Sequence, residues 1–157
     1  MIKTGIGYDI HKLALGEKLI VGTVDIKSEF GSIGHSDGDV LIHAIVDSLL
    51  GASSLGDIGQ FFPSEDEKWK NINSLFFLEF VEKKLKSSDY KINHIDSVIV
   101  LEKPKLSNYI IQMRTNISNT LNIDLSQISI KAKTADYLDS VGRNEAIAAH
   151  AISTLEN

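Results

Sequence analysis

Apolar residues change their spacing several times along this chain, and this constrains the fold more than any other feature of the sequence. Alternating apolar residues, typical of strands, come before, between and after stretches with the spacing of amphipathic helices. Strands are predicted at 2–8, 18–21, 24–26, 95–101 and 128–133, helices at 39–50, 74–86 and 107–121, and a loop or single helical turn at 56–64. The segment 145–155 fits a helix or a strand. This order predicts an α+β fold, a mixed β-sheet of about four to five strands with helices packed mainly on one face.

Length and composition limit the domain organisation and the location of the protein. With 157 residues, no repeat and no Pro/Gly-rich linker, the chain is predicted to form a single domain over 1–157. It has no cysteine, which excludes disulfides and thiolate metal ligands and agrees with a reducing compartment. No stretch has the length of a signal peptide or the roughly 20 apolar residues of a membrane span. We therefore expect a cytoplasmic protein without a membrane partner.

The charge balance of the chain argues against one class of binding partner, nucleic acids. The formal net charge is −5 and the pI is about 5.5, whereas general nucleic-acid binding relies on a basic surface. We therefore expect no nucleic-acid partner. If such an acidic protein binds a phosphorylated small molecule, bound cations must supply much of the positive charge.

Asp9, His11 and His43 are the residues most suited to hold a metal ion. Asp9 and His11 are two positions apart in an extended segment, so their side chains lie on the same face. His43 lies in the helix predicted at 39–50. Two imidazoles and one carboxylate give a tetrahedral ion three protein ligands and one open position, which is typical of catalytic zinc. Non-haem iron enzymes use the same ligand types, and an Asp-x-His pair also occurs by chance.

Other polar residues suggest supporting roles. The segment 35–39, His-Ser-Asp-Gly-Asp, comes where a helix begins, and the first N–H groups of a helix are free to bind an anion. Asp47 is one turn beyond His43, where it either orients the imidazole or faces solvent. His94 and His150 lie in apolar surroundings and are interpreted as structural residues.

These segments closely resemble the 2-C-methyl-D-erythritol 2,4-cyclodiphosphate synthase family, and the resemblance spans essentially the whole chain. The matching motifs are Gly7-Tyr8-Asp9-Ile10-His11, His35-Ser36-Asp37-Gly38-Asp39 with His43-Ala44, Leu50-Gly51-Ala52, Leu55-Gly56-Asp57-Ile58-Gly59 with Phe62-Pro63, Pro104-Lys105-Leu106, Gln112-Met113-Arg114, Lys131-Ala132-Lys133-Thr134, and Gly142-Arg143 with Glu145. The long second motif, in register with the Asp-x-His pair, makes the match highly specific.

The resemblance implies a phosphorus–oxygen lyase of the non-mevalonate route to isoprenoid precursors. In the family's reaction, the 2-phosphate of 4-CDP-2-C-methyl-D-erythritol 2-phosphate attacks the β-phosphorus of the same molecule. The attack closes 2-C-methyl-D-erythritol 2,4-cyclodiphosphate and releases CMP. A phosphate is already an anion, so no side chain needs to deprotonate it. This agrees with a sequence in which no side chain looks like an activated nucleophile or a general base.

The resemblance also implies two metal ions. Zn²⁺ would bind Asp9, His11 and His43, with a substrate phosphate oxygen in the open position. A second ion, Mg²⁺ or Mn²⁺, would bridge the substrate diphosphate and be held by Asp136. The family usually has glutamate at the position of Asp136, so this carboxylate is one methylene shorter than in most members.

Substrate-binding roles transfer from the family by position. The residues implied are His35 and Ser36 for the methylerythritol phosphate, Asp57, Gly59 and Phe62 for the erythritol hydroxyls, Pro104, Lys105 and Leu106 for cytosine, and Lys133 and Thr134 for the CDP diphosphate. Lys133 and Thr134 are accordingly also expected to act in catalysis. Arg143 matches an arginine that lines a central cavity of the family's oligomer, where Asp139-Ser140 here replaces a frequent Gly-Phe.

Members of the family are homotrimers in which one subunit supplies the zinc half of each active site and its neighbour the nucleotide half. We therefore expect a trimer-forming chain whose two half-sites need not meet within one subunit. Two alternatives stay open. The first is a non-catalytic module on the same fold that binds a phosphorylated ligand. The second is a non-haem iron enzyme with two histidines and one carboxylate as ligands.

Overall fold

The computed structural model describes residues 1–157 and contains seven strands, five α-helices and three short 3₁₀ turns. The strands are β1 (Ile2–Leu15), β2 (Leu19–Val21), β3 (Val24–Ile26), β4 (Phe30–Ile33), β5 (Lys91–Val100), β6 (Ile128–Lys133) and β7 (Ala146–Glu156). The helices are α1 (Val40–Ala52), α2 (Ile58–Phe61), α3 (Leu75–Ser87), α4 (Ile110–Leu121) and α5 (Asp139–Gly142). The 3₁₀ turns are Glu67–Trp69, Ser107–Tyr109 and Leu125–Gln127. None of the helices has both the length and the apolar character needed to span a lipid bilayer.

Five of the strands form one mixed sheet in the order β4-β1-β7-β5-β6. β1 pairs antiparallel with β4 and β7, β7 pairs antiparallel with β5, and β5 pairs parallel with β6. β2 and β3 form a separate antiparallel ribbon. The parallel pair is joined through α4, since parallel neighbours need a crossover connection. The predicted α+β fold with a mixed sheet of four to five strands is confirmed.

The last segment, which fitted either a helix or a strand, is the strand β7. β7 hydrogen-bonds to β1 along one edge and to β5 along the other. Pairing on both edges satisfies its backbone and outweighs the helical preference of its alanines. Ala149 and Ala151 are buried beneath the helices, and the Ser153 hydroxyl bonds to that of Ser48 in α1. The small side chains of β7 therefore allow a helix to lie close to the centre of the sheet.

Several other boundaries differ from the prediction, and in three cases pairing or packing extends the element. β1 continues to Leu15 rather than ending near Tyr8, since β4 and β7 pair with its second half. β5 begins earlier than predicted, at Lys91, where its pairing with β7 starts. α1 does not stop at Gly51 but continues to Ala52, whose side chain is buried.

Helix α1 covers β1 and β7 and forms the centre of the hydrophobic core. Its Leu41, Ile45 and Leu49 side chains are fully buried, and each such side chain contributes roughly 1.5–3 kcal/mol through burial. α3 packs against α1, and α4 packs against α3 and β6. These helices form one layer, which confirms that helices cover mainly one face of the sheet.

Asp39 fixes the start of α1. Its carboxylate accepts N–H bonds from Ile42 (3.1 Å), which caps the helix, and from Gly22 (2.9 Å) and Thr23 (2.6 Å), which tie down the turn between β2 and β3. The side chain is fully buried, and burial raises the pKa of Asp39 to about 6 although the N–H bonds oppose the shift. The first turn of α1, and with it His43, is thereby anchored to a second element.

Two glycines of β1 allow α1 to pack directly on the strand backbone. A Cβ atom added at Gly5 would lie 2.1 Å from the carbonyl oxygen of Ser48, and one at Gly7 would lie 1.9 Å from that of Ala44. Side chains do not approach backbone atoms so closely, so any other residue at either position would displace α1. Because α1 carries His43, this contact sets the distance between His43 and the strand.

The opposite face of the sheet is largely uncovered. α5 packs at one end of it, where Val141 forms a small cluster with Ala146 and Ala148. Elsewhere this face exposes large apolar side chains, namely Ile6 (71%), Tyr8 (50%), Ile10 (45%) and Ile152 (47%). A contiguous exposed apolar surface of this kind is typical of a site that binds another protein chain.

The contact between α1 and β1 predicts opposite effects for two glycine substitutions. Gly7→Ala is expected to lower the free energy of unfolding by at least about 3 kcal/mol, because the added methyl group meets the backbone of α1. Gly51→Ala places a Cβ no nearer than 3.9 Å to another atom and is expected to stabilise by up to about 1 kcal/mol, as glycine-to-alanine changes in helices do. Urea unfolding of both variants measures the difference. Equal stabilities would contradict this account of the packing.

Candidate metal and substrate site

β1 and α1 bring Asp9, His11 and His43 together. Asp9 and His11 project from β1 towards the helix layer, and His43 reaches them from the start of α1. Asp9 Oδ2 lies 2.9 Å from His43 Nδ1 and 3.1 Å from His11 Nδ1. One ligand atom from each residue lies within 4.8 Å of the other two. The three side chains are partly buried, so the group is shielded but still open to a ligand.

This arrangement fits a divalent metal ion. Two ring nitrogens point at a single carboxylate oxygen, and His11 Nδ1 is buried without a well-aligned hydrogen bond. Burial alone would raise the pKa of Asp9, but the adjacent His11 and His43 rings outweigh it and lower the pKa to about 2. The carboxylate is therefore ionised. The ligand atoms of tetrahedral zinc lie roughly 3.2–3.5 Å apart, so the two histidine nitrogens would move only slightly away from the Asp9 oxygen to admit the ion.

The second nitrogen of His43 faces two serines. His43 Nε2 lies 3.0 Å from the Ser36 hydroxyl and 3.2 Å from the Ser74 hydroxyl. Ser74 is fully buried, and both its N–H and its hydroxyl donate to Asp37. Ser74 was not singled out from the sequence, because a serine at the start of a helix is normally a cap. Only its tertiary contacts reveal its proximity to a metal ligand.

His35 and Ser36 lie in the loop that leads from β4 into α1. Both are partly exposed. The carbonyl oxygen of His35 accepts the N–H of Asn71 (2.8 Å), and its ring Nε2 lies 3.3 Å from the carbonyl oxygen of Asp66. This loop is thus tied to the segment before α3. The loop adjoins the candidate metal site through Ser36, whose hydroxyl contacts His43, whereas the contacts of His35 are with the segment before α3.

Asp47 neither orients the imidazole nor faces solvent freely. Its carboxylate accepts the N–H of Ile58 (2.8 Å) and makes no hydrogen bond to His43. Burial raises the pKa of Asp47, and the N–H bond from Ile58 partly offsets the shift. Asp47 thus holds the start of α2 against α1, next to the metal ligands.

The segment expected to bind the substrate hydroxyls forms the single turn α2, as predicted. Asp57 is exposed and caps the turn by accepting the backbone N–H and the side-chain amide of Gln60, both at 2.9 Å. Gly59 is also exposed. Phe62, in contrast, is only 8% exposed, and its ring packs against Phe77 and other aromatic side chains. Its ring belongs to the core, which leaves the backbone of Phe62 for contact with a ligand.

A second site lies at the other edge of the sheet. A cavity of about 550 Å³ opens between the ends of β5 and β6 and the start of α4, a volume suited to a small molecule. It brings together the five residues implied for cytosine and the CDP diphosphate, namely Pro104, Lys105, Leu106, Lys133 and Thr134. Glu102 also lines the cavity and was missed in the sequence, because no local pattern marks it.

Asp136 follows this cavity in the tight turn after β6. The Thr134 hydroxyl donates to its carboxylate at 3.2 Å. Asp136 has a φ of +51°, a conformation that is unfavourable for residues other than glycine. The carboxylate of Glu102 accepts the N–H of Ala135 (3.2 Å) and so helps to hold the turn. Asp136 therefore has a defined position beside the residues of the cavity.

One arginine and two histidines considered in the sequence analysis lie apart from the candidate metal group and from the cavity. Arg143 is exposed and pairs with Glu145 at 3.1 Å, and this contact raises the pKa of its guanidinium. The interpretation of His94 and His150 as residues in apolar surroundings is wrong, because both side chains are exposed. His150 projects from the uncovered face of the sheet, where its ring lies 4.7 Å from that of Tyr8.

The group of Asp9, His11 and His43 and the cavity lie at the same level of the sheet but on different strands. In the strand register, Asp9 is aligned through β7 and β5 with Ala132, next to Lys133. β1 and β6 are three strand spacings apart, which corresponds to roughly 14 Å. α1 covers the buried residues of β7 between them. Within one chain, the cavity and the group of Asp9, His11 and His43 are therefore separated.

The ligand geometry predicts one tightly bound divalent ion per chain. His43→Ala removes one of three protein ligands and is expected to abolish stoichiometric zinc binding, since two ligands hold the ion weakly. His150→Ala removes an exposed histidine away from the group and is expected to leave the zinc content unchanged. Metal analysis after dialysis against zinc-free buffer measures both. Equal zinc in the two variants would show that the ion binds elsewhere.

Known proteins are similar to this chain in sequence and in fold. A model of the YgbB family matches residues 2–156. The 2-C-methyl-D-erythritol 2,4-cyclodiphosphate synthase of Desulforamulus reducens is 49% identical over 155 residues, covering 99% of each chain, and that of Clostridium botulinum is 51% identical over 154 residues, covering 98% of each. A solved structure described as IspF of Plasmodium falciparum in a CDP complex is 39% identical, with a TM-score of 0.87 over 98% of this chain and 95% of that one. The similarity includes the strands and loops that carry both half-sites, and the chain belongs to the YgbB family.

Proposed function

We propose that this protein is a 2-C-methyl-D-erythritol 2,4-cyclodiphosphate synthase. It converts 4-CDP-2-C-methyl-D-erythritol 2-phosphate to the 2,4-cyclodiphosphate and CMP, a lyase reaction of the non-mevalonate pathway. The observation that carries the proposal is the combination of a site with two histidines and one carboxylate and a nucleotide-sized cavity in the same chain. Relatives with this name are about half identical to the chain over nearly its whole length.

The proposed reaction depends more on positioning the two phosphates of the substrate than on acid–base catalysis. An oxygen of the 2-phosphate forms a bond to the β-phosphorus, and the bond from that phosphorus to the oxygen of CMP breaks. The attacking phosphate is already anionic, so its activation requires no general base. The protein has to hold the two phosphates in line and offset the negative charge on their oxygens. A net charge of −5 makes bound cations the natural source of that compensation.

The zinc half-site binds the methylerythritol phosphate. Asp9, His11 and His43 would hold zinc, and the ion would supply a Lewis acid for the substrate phosphate. His35 and Ser36 lie in the loop beside these ligands and donate hydrogen bonds to the same phosphate. This loop is tied to the segment before α3, so its donors are held in place before the substrate arrives.

The turn α2 binds the erythritol hydroxyls. The exposed Asp57 carboxylate accepts hydrogen bonds from hydroxyl groups, and Gly59 lets the substrate approach the backbone closely because it has no side chain. Phe62 contributes through its backbone, since its ring is packed in the core. Asp47 holds α2 against α1 and so keeps the sugar-binding turn at a constant distance from the zinc ligands.

The cavity at the ends of β5 and β6 binds the CDP part. Pro104, Lys105 and Leu106 contact cytosine mainly through backbone groups, and Lys133 and Thr134 contact the diphosphate. The Lys133 ammonium provides positive charge, and the Thr134 hydroxyl provides a hydrogen-bond donor. The relative from Plasmodium falciparum is described as a CDP complex, which supports a nucleotide in the corresponding cavity here.

Asp136 holds the second ion, Mg²⁺ or Mn²⁺. Hard cations of this type prefer carboxylate and phosphate oxygens. The Asp136 carboxylate adjoins the diphosphate-binding residue Thr134, whose hydroxyl donates to it. The side chain is one methylene shorter than the usual glutamate of the family. The turn that Glu102 helps to hold determines how far it reaches into the site.

We further propose that the protein is a cytoplasmic homotrimer with an active site at each subunit interface. The two half-sites are separated within one chain, whereas a neighbouring copy can bring its cavity to the zinc ligands. The exposed apolar residues on the uncovered face of the sheet, such as Ile6 and Ile152, are suited to bury against other copies. Arg143 follows α5, which packs on this face, and would line the centre of the trimer and bind an anion there.

The proposed reaction predicts release of one CMP for each substrate consumed. With zinc and Mg²⁺ present, the wild-type protein is expected to produce CMP and the cyclic diphosphate. His43→Ala and Lys133→Ala are each expected to lower kcat/KM by at least about 100-fold, because each removes charge compensation at the phosphates. Chromatography of the nucleotides and phosphorus NMR of the product measure this. If no CMP appears with both ions present, a non-catalytic binding module is favoured, and linear phosphates carrying oxygen from water would indicate a hydrolase.

Shared active sites predict recovery of activity in mixed trimers. His43→Ala lacks a working zinc half and Lys133→Ala lacks a working nucleotide half, so each variant alone has little activity. Equimolar co-expression is expected to restore about a quarter of wild-type activity, because about one interface in four combines two intact halves. A matched mixture of His43→Ala with His11→Ala, both damaged in the zinc half, should show no recovery. Recovery in neither mixture would contradict shared sites.

A further inference from the structure

We propose that Ser74, aligned by Asp37, is a positioning residue. It fixes the tautomer of the His43 ring with the proton on Nε2 and so leaves Nδ1 free for the metal. Ser74 immediately precedes α3 and is fully buried. It lies outside the motifs that carry the family resemblance and outside the set of metal ligands. The inference rests on the metal site of the proposed function, but not on the reaction itself.

Ser74 does not serve its own helix. It occupies the N-cap position of α3 but makes no capping hydrogen bond, although such a bond typically contributes about 1 kcal/mol. Its backbone is already helical, with φ −61° and ψ −18°. The side chain of Asn73 accepts the N–H of Leu75 instead (2.8 Å). The Ser74 hydroxyl is thus directed away from α3, towards Asp37 and His43.

Asp37 determines which atom Ser74 presents to His43. The carboxylate accepts the N–H of Ser74 (2.8 Å) and also its O–H. A hydroxyl has one proton, so once that proton is donated to Asp37, only a lone pair faces His43 Nε2, 3.2 Å away. A hydrogen bond between Ser74 and His43 then requires that Nε2 carries the proton and donates it. The N–H of Asp39 (3.2 Å) holds Asp37 in the required orientation.

The consequence appears on the other side of the ring. A neutral imidazole with its proton on Nε2 has its lone pair on Nδ1, and Nδ1 lies 2.9 Å from Asp9 Oδ2. Two lone pairs at this distance repel unless a proton or a metal ion lies between them, and a metal ion can take that place because the ring keeps its proton on Nε2. The chain of hydrogen bonds from Asp37 through Ser74 to His43 therefore prepares Nδ1 as a metal ligand. Loss of such an outer partner commonly weakens metal binding 10–100-fold.

Ser36 cannot impose the same protonation, although its hydroxyl lies 3.0 Å from His43 Nε2. The Ser36 side chain makes no second hydrogen bond, so its proton is free to rotate and it either donates to or accepts from the ring. It is also partly exposed and assigned to the substrate phosphate. Ser74 is buried and its proton is committed, so the direction of its hydrogen bond is defined.

Zinc affinity, measured by competition with a chelator, tests the proposal. Ser74→Ala is expected to raise the Kd for zinc about 10–100-fold. Ser53→Ala is the matched control, because Ser53 is also buried but its hydroxyl bonds only to backbone carbonyls at the far end of α1. This control is expected to keep the wild-type Kd. Unchanged affinity in Ser74→Ala, or an equal loss in Ser53→Ala, would overturn the proposal.

Asp37→Asn tests the direction of the hydrogen bonds. One oxygen of Asp37 accepts the N–H of Ser74, and the other accepts both the Ser74 hydroxyl and the N–H of Asp39. An amide can serve only one of these two positions as an acceptor, so Asp37→Asn disrupts the arrangement that commits the Ser74 proton. We expect a rise in the zinc Kd similar to that of Ser74→Ala, and no further rise when both changes are combined, because the two residues act in one chain. Wild-type affinity in Asp37→Asn, or fully additive losses in the double variant, would contradict this.

The NMR signal of the His43 ring distinguishes a positioning role of Ser74 from a general loss of structure. In the zinc-bound wild-type protein, NMR is expected to show a His43 Nε2–H proton that exchanges slowly with water. In Ser74→Ala this proton should exchange faster while backbone signals elsewhere keep their positions. The same exchange rate in both proteins would overturn the proposal. These measurements use no substrate, so failure of the synthase assay would leave them intact, and they can fail in an enzyme that releases CMP.

Discussion

The contact of α1 with the bare backbone of β1 is the interaction on which the rest of the site depends. Gly5 and Gly7 let the helix approach the strand more closely than any side chain permits. At that separation His43 Nδ1 comes within 2.9 Å of Asp9 Oδ2. Asp39 then fixes the helix along its own axis by binding both its first turn and the turn between β2 and β3. The packing of α1 on β1 in the core therefore also sets the geometry of the group formed by Asp9, His11 and His43.

The distribution of charge follows from the chemistry proposed. An acidic protein that binds a substrate with several phosphates meets repulsion wherever its own carboxylates face the ligand. Here the carboxylate of Asp9 is kept ionised by two neighbouring rings, where a metal can use it, and Asp39 and Asp47 accept backbone N–H groups instead. The side chains of Lys133 and Thr134 face the nucleotide cavity. Most acidic groups near the site thus have structural partners, and few are left to repel the substrate.

Much of the fold and the metal group was predictable, because both depend on local periodicity. Spacing of two in a strand placed Asp9 with His11, and the helical pattern supplied His43. The strand β7 was ambiguous, since only its two neighbours decide between its states. The cavity residues come from distant segments that no local pattern links, so only the family resemblance grouped them. Residues defined by tertiary contacts, such as Ser74, left no local signal, and the buried ring of Phe62 gave a misleading one.

The strand order has a consequence for how such a protein can diversify. In the proposed reaction, the nucleobase would bind near Pro104 at the β6 edge, and the substrate phosphate would bind at Asp9, His11 and His43 on β1 and α1. Within one chain, two strands stand between the cavity and Asp9, so changes in the wall of the cavity would leave the packing of α1 on β1 intact. For the proposed reaction, each chain would thus bind the leaving group and the cyclising phosphate on separate elements, and a new leaving-group preference could arise without rebuilding the core.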